Sequence, residues 1–469
     1  FSTVIAAASI MTVASLVPVS LAGIGLGQVT LVAALSVSGI DAQIASQIAL
    51  THLALVLTPA AVGALMFAVQ KSRPPRITQR PARVAMLSTV YPRSAQDFTG
   101  HFVASLAQAM AQQEVYVTAW SPHAQGLPED EERNGVRIRR FRYLPSSIEA
   151  LAYTDRGIPA ALRAHPILLA QLPAFILGLA RAARRASTES DVLHAHWGPT
   201  GLVAALAAPS STVALTLHGT DVSLAERSRL WRTLLFGALK RCGPIFVVSA
   251  ELERRVLALP GCPSITTRIL PNGVADELLI GDTSHAPREH PTALFVGRLT
   301  REKGVNDLLA AWSAPPANAT LRIVGAGPLE GAVQDAITSG APIELSGPLP
   351  HAQALDEIAH ADVVVIPSQS EGFSLVALEA AAMGVPVVGS SVGAIPEILG
   401  NEGLLIAPGD VSALEIALKR ALTDLPELKR RANERRERLQ EYSWARIAAA
   451  ALDAYSSDAG AAPVDTLES

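Results

Sequence analysis

Residues 1 to 70 hold no lysine, arginine or glutamate, and Asp41 is their only acidic residue. A stretch with so little charge makes a poor water-facing surface. Phe1 to Leu21 and Ile44 to Val69 are each long enough to cross a bilayer, which takes about 20 apolar residues. The segment between them, Gly23 to Val37, is shorter and glycine-rich, and reads as a broken or re-entrant helix whose free backbone groups other protein must cover. No basic start precedes the first apolar run, which is also too long for a signal peptide. The expectation is a transmembrane segment over 1–70 that closes a larger membrane domain. Only two cysteines occur, Cys242 and Cys262, without C-x-x-C spacing; they read as free thiols in a reducing compartment. Aromatics make up 4% of the chain and the formal net charge is -4, so neither a base-stacking platform nor a basic face argues for nucleic acid. No G-x-x-x-x-G-K-[ST] loop is there to suggest an ATPase.

What is there begins with Lys71, Arg73, Arg76, Arg80 and Arg83, interrupted by Pro74 and Pro75. Positive charge beside a membrane span marks the cytoplasmic side and attracts anionic lipid. The expected location is the cell membrane, with 71–82 as a basic linker and the folded part in the cytoplasm. A plain polar linker is the alternative reading. The remaining chain, out of 469 residues, has room for two domains.

The stretch Glu371 to Glu379 organises that remainder. An apolar run, Val363 to Ile366, ends at Pro367; a helical pattern follows to Met383, and a second apolar run starts at Val385. Strand, tight loop, helix and strand make a βαβ unit, so the sheet is expected to be parallel. Ligands in such sheets sit beyond the carboxyl ends of the strands. The amides of Gly372, Phe373, Ser374 and Leu375 would face a cleft and suit a phosphate, with the helix dipole adding about half a positive charge. Along a helix, the eight residues from Glu371 to Glu379 would cover roughly 12 Å. Glu379 lies among Leu378, Ala380, Ala381 and Ala382, where a carboxylate needs hydroxyl or other donors; a ribose diol would supply them. The plainer alternative is a helix-start carboxylate at Glu371 and a surface residue at Glu379.

Either side of this unit the pattern is α/β. Strands are expected at Arg83–Thr89, Val115–Ala119, Val136–Arg140, Val213–Leu217, Pro244–Ser249, Arg268–Leu270, Ala293–Val296, Leu321–Val324, Ile343–Ser346 and Leu404–Ile406, with helices at Gly100–Gln113 and Val411–Leu422. The acid run Glu129, Asp130, Glu131 and Glu132 reads as a solvated loop. Ile167 to Arg185 reads either as a helix packed on the sheet or as an amphipathic surface for a membrane or a lipid acceptor. His194 and His196 lack a third metal ligand at usable spacing, and read as strand-end packing or acceptor-side residues. Gly281 to Pro291 has linker composition, Pro271 to Val274 is a turn, and Tyr442-Ser443-Trp444 opens a last helix.

Residues 82 to 456 resemble the family-4 retaining glycosyltransferases of the GT-B fold. The residues carrying the resemblance are the E-x7-E pair within SEGFSLVALEAAAMGVPVV, the loop TVYPRSAQDFTGHFV, the pair DVLHAHW and LHGTD, and GRLTREKG. The resemblance implies two Rossmann-like domains facing a cleft, here preceded by transmembrane helices. Residues 83–280, with a terminal helix over 444–456, would form the acceptor domain. Residues 290–443 would form the nucleotide-sugar domain, and 457–469 a disordered tail. It implies that Arg298 and Lys303 hold the donor diphosphate, that Glu371 binds sugar hydroxyls and Glu379 the ribose, and that His218 lies by the transferred sugar. Gly100 would face the diphosphate, although the family usually has two adjacent glycines where Thr99-Gly100 stands. The implied reaction moves a sugar from a nucleotide diphosphate sugar to an acceptor hydroxyl, lipid-linked or on a glycan, with retention. No cofactor is called for and no D-x-D stands at a strand end for a metal. The alternatives are a nucleotide-sugar epimerase of the same fold, and a membrane transport or scaffold protein that senses nucleotide sugars. Pro18 to Gly25 with Gln28 is similar to the closing part of the lysylphosphatidylglycerol-synthase/flippase-like membrane family, with Ala22 where that family usually has Gly and Gln28 where it has Glu.

Overall fold

The computed structural model describes residues 41, 44, 80–94, 97–154, 157–281, 290–316 and 318–456. The expected membrane segment, residues 71–79 of the basic linker, and the expected tail over 457–469 lie outside the described residues.

Two sheets carry the chain. The first has strands β1 Arg83–Leu87, β2 Tyr116–Pro122, β3 Asp130–Arg133, β4 Val136–Phe141, β5 Val192–His196, β6 Thr212–Leu217, β7 Ile245–Val247 and β8 Thr267–Ile269, in the order β3-β4-β2-β1-β5-β6-β7-β8. The second has β9 Thr292–Val296, β10 Thr320–Val324, β11 Ile343–Gly347, β12 Val363–Ile366, β13 Val387–Ser390 and β14 Leu404–Ile406, in the order β11-β10-β9-β12-β13-β14. All pairings are parallel except β3 with β4. The strands are apolar on both faces because both faces are covered. In β1, Ala85 and Leu87 enter one core while Val84 and Met86 enter the other, all of them fully buried. Each side chain so covered contributes about 1.5–3 kcal/mol.

Six helices bear on the cleft: α1 His101–Ala111, α2 Leu172–Glu189, α3 Ala250–Leu257, α4 His351–Ala359, α5 Leu375–Ala382 and α6 Trp444–Ser456. The last of these follows the second sheet in sequence but packs on α1, against the first sheet. Gly273 is glycine because a Cβ there would lie 2.6 Å from the Trp444 ring. The halves are also tied at the start of α3. Its cap Ser249 accepts from the Leu252 amide at 3.1 Å, while the Glu397 carboxylate, from the other half, accepts the amides of Ala250 and Glu251 at 3.0 Å each. A carboxylate at a helix N-terminus also meets the positive end of the dipole.

Two sequence expectations need correcting here. The acid run is not a loop. Asp130 to Arg133 forms an antiparallel edge strand, with Asp130 opposite Arg139 and Glu132 opposite Arg137. Arg137 meets Asp130 at 2.6 Å and Arg140 meets Glu131 at 2.6 Å. Opposite charges across a ladder hold the strand, and a charged edge resists further pairing. Of the two readings of Ile167–Arg185, sheet packing is observed: Phe175, Leu179, Ala182, Ala183 and Ala186 of α2 lie in the core. The outer side still shows Ile167 and Leu177, and Pro166–Glu189 is long and apolar enough to cross a membrane by length and composition alone.

Candidate active site

The site is built where the carboxyl ends of the two sheets meet. Beyond β12 the loop 367–374 is clamped from the second sheet's own side. A Cβ at Gly304, which has φ +71°, would lie 1.9 Å from the Pro367 carbonyl oxygen. Only glycine allows that approach, and it sets the neighbouring Lys303 beside Glu371. The Lys303 ammonium donates to Glu371 Oε1 at 2.5 Å, and the Ser368 hydroxyl donates to the same oxygen at 2.9 Å. Arg298, by contrast, is exposed and its guanidinium has no protein partner among the described residues.

The helix starts later than the sequence pattern suggests. Ser374 is the cap of α5, its hydroxyl accepting from the Ala377 amide at 3.3 Å. Glu371 therefore stands in the loop, so the straight-helix span from Glu371 to Glu379 does not apply. The amides of Gly372, Phe373, Ser374 and Leu375 meet no protein acceptor among the described residues, which leaves a row of donors at a helix start. The Phe373 side chain has a second role that the sequence did not disclose. It packs against an apolar core of each half, and its ring lies 6.5 Å from that of Tyr442.

Across the cleft, β6 ends in His218-Gly219. A Cβ on Gly372 would lie 2.2 Å from the His218 carbonyl oxygen, and one on Gly219 would lie 2.9 Å from Gly372 Cα. The two halves thus touch backbone to backbone at the site. Asp221 holds the His218-Gly219 turn: its carboxylate accepts from the amides of Gly219 and Val222, each at 3.1 Å, and of Gly198 at 3.3 Å. Burial raises its pKa against those amides, which lower it.

His218 is packed under the ring of Phe102, 4.5 Å away between centroids. Its Nε2 lies 3.1 Å from Nδ1 of His196, which stacks in turn on His194. Burial pushes the pKa of both His218 and His194 down to about 3. The three histidines therefore stay neutral. Their partners are each other, Thr216, Tyr455 and Met86. A cavity of about 200 Å³ opens beside them, lined by Ser88, Thr89, Phe102, Tyr153, Trp197 and His218.

Glu379 is buried, not a surface residue, and its Oε1 lies 2.7 Å from His351 Nε2 at the start of α4. His351 also reaches the first half. Its ring centroid is 4.7 Å from Phe98 and 5.0 Å from His101, which stacks on Phe98. Gly100, between Phe98 and α1, has φ +74°, and a Cβ there would lie 2.9 Å from the Val90 carbonyl oxygen. The structure therefore joins Lys303 to Glu371, Gly372 to His218, and Glu379 to the Gly100 loop through His351. It leaves Arg298 by itself. His351, Phe98, Phe102 and Ser368 were missed. Phe98 and Phe102 flank Gly100 and could have been suspected on that ground. His351 follows a Pro-Leu-Pro turn, which gives no hint of a carboxylate twenty-eight residues on.

Comparison with known proteins agrees with this geometry. The model described as Glycosyltransferase Family 4 matches residues 99–278, and that described as Glycosyl transferases group 1 matches residues 290–424. The chain is 31% identical to glycogen synthase of Mycobacterium tuberculosis, over 80% of this chain and 94% of that protein. It is 27% identical to D-inositol 3-phosphate glycosyltransferase of Kineococcus radiotolerans, again over 80% and 94%. In fold it is similar to sucrose-phosphate synthase from Thermosynechococcus elongatus, a GT-B structure, with a TM-score of 0.67, 24% identity and coverage of 80% of this chain and 98% of that one.

Proposed function

The chain belongs to the family 4 glycosyltransferases, and from that premise we propose that it moves a sugar from a nucleoside diphosphate donor to an acceptor hydroxyl, with retention at the anomeric carbon and without a metal ion. One observation carries the reading: the Lys303–Glu371 pair at 2.5 Å stands beside a helix start whose amides have no protein acceptor, facing His218 across the Gly219–Gly372 contact. As the bond from anomeric carbon to phosphate oxygen breaks, negative charge grows on the diphosphate. Lys303, Arg298 and the amides of Gly372 to Leu375 are the donors placed to meet it. The acceptor oxygen bonds to the same face of the carbon, and the departing phosphate oxygen takes the acceptor's proton. Glu371, held by Lys303 and Ser368, orients sugar hydroxyls, and Glu379 with His351 receives the ribose.

The acceptor in this reading is lipid-linked, and the catalytic part works at the cytoplasmic face of the cell membrane. The support is the basic run from Lys71 to Arg83 and the exposed Ile167 and Leu177 outside the first sheet. The test is to supply labelled nucleotide sugars to native membranes that contain or lack the protein. Label appearing in an organic-soluble product only with the protein supports the reading. Conversion of the donor sugar without any acceptor product would favour the epimerase instead.

A further inference from the structure

The contacts of the histidine column fix where its protons sit. Each of the three imidazoles is neutral, so each carries one N–H and one bare nitrogen. At the deep end the Tyr455 hydroxyl lies 2.7 Å from His194 Nδ1, and His194 Nε2 lies 2.6 Å from the Thr216 hydroxyl. Next in the column, His196 Nε2 faces Met86 Sδ at 3.5 Å, while His196 Nδ1 faces His218 Nε2 at 3.1 Å.

A thioether sulfur has lone pairs and no hydrogen, so it can only accept. If His196 kept its proton on Nδ1, its bare Nε2 would face the sulfur with no donor between two buried acceptors. That arrangement is the costly one. With the proton on Nε2, every contact is satisfied: Nε2–H donates to the sulfur, and Nδ1 accepts from His218. His218 then carries its proton on Nε2 and is left with a bare Nδ1. That ring lines the cavity beside Ser88 and Thr89, and Nδ1 has no protein partner among the described residues.

We infer that His218 is an acceptor only, its Nδ1 taking a hydrogen bond from a substrate hydroxyl that enters the cavity, and that His196 and Met86 are positioning residues which set this tautomer. The inference rests on the transferase reading for the identity of that hydroxyl as a sugar or acceptor hydroxyl. The tautomer itself does not depend on it. A ring with the opposite tautomer would present an N–H to the cavity, and an incoming hydroxyl would have to turn its proton away from the histidine. Neither Met86 nor His196 would then have any bearing on turnover beyond the fold.

The test uses the full chain with isotope-labelled histidine. Imidazole nitrogen NMR, with the His218 signals identified by their loss in His218→Asn, should show a protonated Nε2 and a bare Nδ1. Met86→Leu keeps the volume and removes the sulfur acceptor. It frees the His196 proton to move to Nδ1, so the His218 signals should exchange and kcat should fall roughly tenfold, the scale of one hydrogen bond, with the donor KM within about twofold. His196→Asn provides a second route if Met86→Leu fails to fold, and should also shift the His218 nitrogen signals. A wild-type spectrum with a bare Nε2 on His218, or a Met86→Leu protein with unchanged signals and rates, overturns the inference. A wild-type protein with the expected tautomer but no transfer from any donor would instead sink the transferase reading and leave the tautomer standing.

Discussion

Replacing Gly372 with alanine tests the cleft at its narrowest point. The added Cβ would lie 2.2 Å from the His218 carbonyl oxygen, where real Cβ contacts keep at least 3.0 Å, a shortfall of about 0.8 Å. Both atoms of the clash are fixed to backbone: one to the end of β6, the other to the loop ahead of α5. No rotamer change can relieve it. The nearest yielding joint is the seam between the halves, so β6 and the loop should part by about that distance. The sheets themselves need not be disturbed, and overpacking of this kind costs about 1–3 kcal/mol. For domains of this size that lowers Tm by about 2–4 °C per kcal/mol. The effect on chemistry should be larger, because a displacement near 1 Å between reacting groups can cost roughly 10²-fold. The expected outcome for Gly372→Ala is a folded protein with a slightly lower Tm and turnover reduced roughly 10²-fold, read in a transfer assay beside a thermal melt. Wild-type turnover would show that the His218–Gly372 approach has no part in the reaction.

Three further outcomes follow from the same geometry. Lys303→Ala removes the ammonium at the proposed diphosphate and should lower turnover roughly 10²- to 10³-fold with an unchanged melt; unaltered transfer kinetics would remove the phosphate role. Glu379→Gln keeps the shape but weakens acceptance of the ribose, and donor affinity by calorimetry should drop about tenfold; equal affinity would remove the ribose role. The His101 pKa is pushed down to about 4 from an ordinary 6.5, first by burial and then by His351 alongside. Between those values the unfolded chain binds more protons than the folded one, so this part of the stability is whole above pH 6.5 and is lost as pH falls toward 4. Melts over that range should show Tm falling with pH, and His101→Phe should flatten part of the fall; a parallel His101→Phe profile would refute the assignment.

Much of the architecture was legible because buried parallel strands write themselves as unbroken apolar runs. Val363 to Ile366 and Ala293 to Val296 could be placed without knowing what covers them. Asp130 to Arg133 escaped because its strand character comes from arginines on β4, not from its own side chains. The start of α5 was misread because Gly372 and Phe373 sit in an apolar pattern that continues into the helix, while the actual boundary is a single serine cap. Lys303 and Glu371 could be suspected as partners in one site, but their direct pairing depends on the Gly304–Pro367 approach, which has no sequence signature. His351 was invisible for a similar reason: its meaning comes from Glu379 in the same half and Phe98 in the other.

The two carboxylates of the site share a property that bears on how a sugar nucleotide could be received. Neither is free in the absence of substrate: Glu371 is held by Lys303 and Ser368 on one oxygen, and Glu379 by His351 on one oxygen. A carboxylate offers about four acceptor positions, so these contacts orient each group while leaving its other oxygen to a hydroxyl. Burying Glu379 without His351 would leave a charge with little to satisfy it. With His351 in place the group can wait in its working position, and binding need not reorganise it. The same imidazole touches Phe98 and His101, so the ribose carboxylate and the Gly100 loop are positioned by one side chain. An incoming nucleotide would therefore meet a receptor already closed at the ribose end and at the sugar end, with the unpaired amides of the α5 start and Arg298 as the donors still open to it.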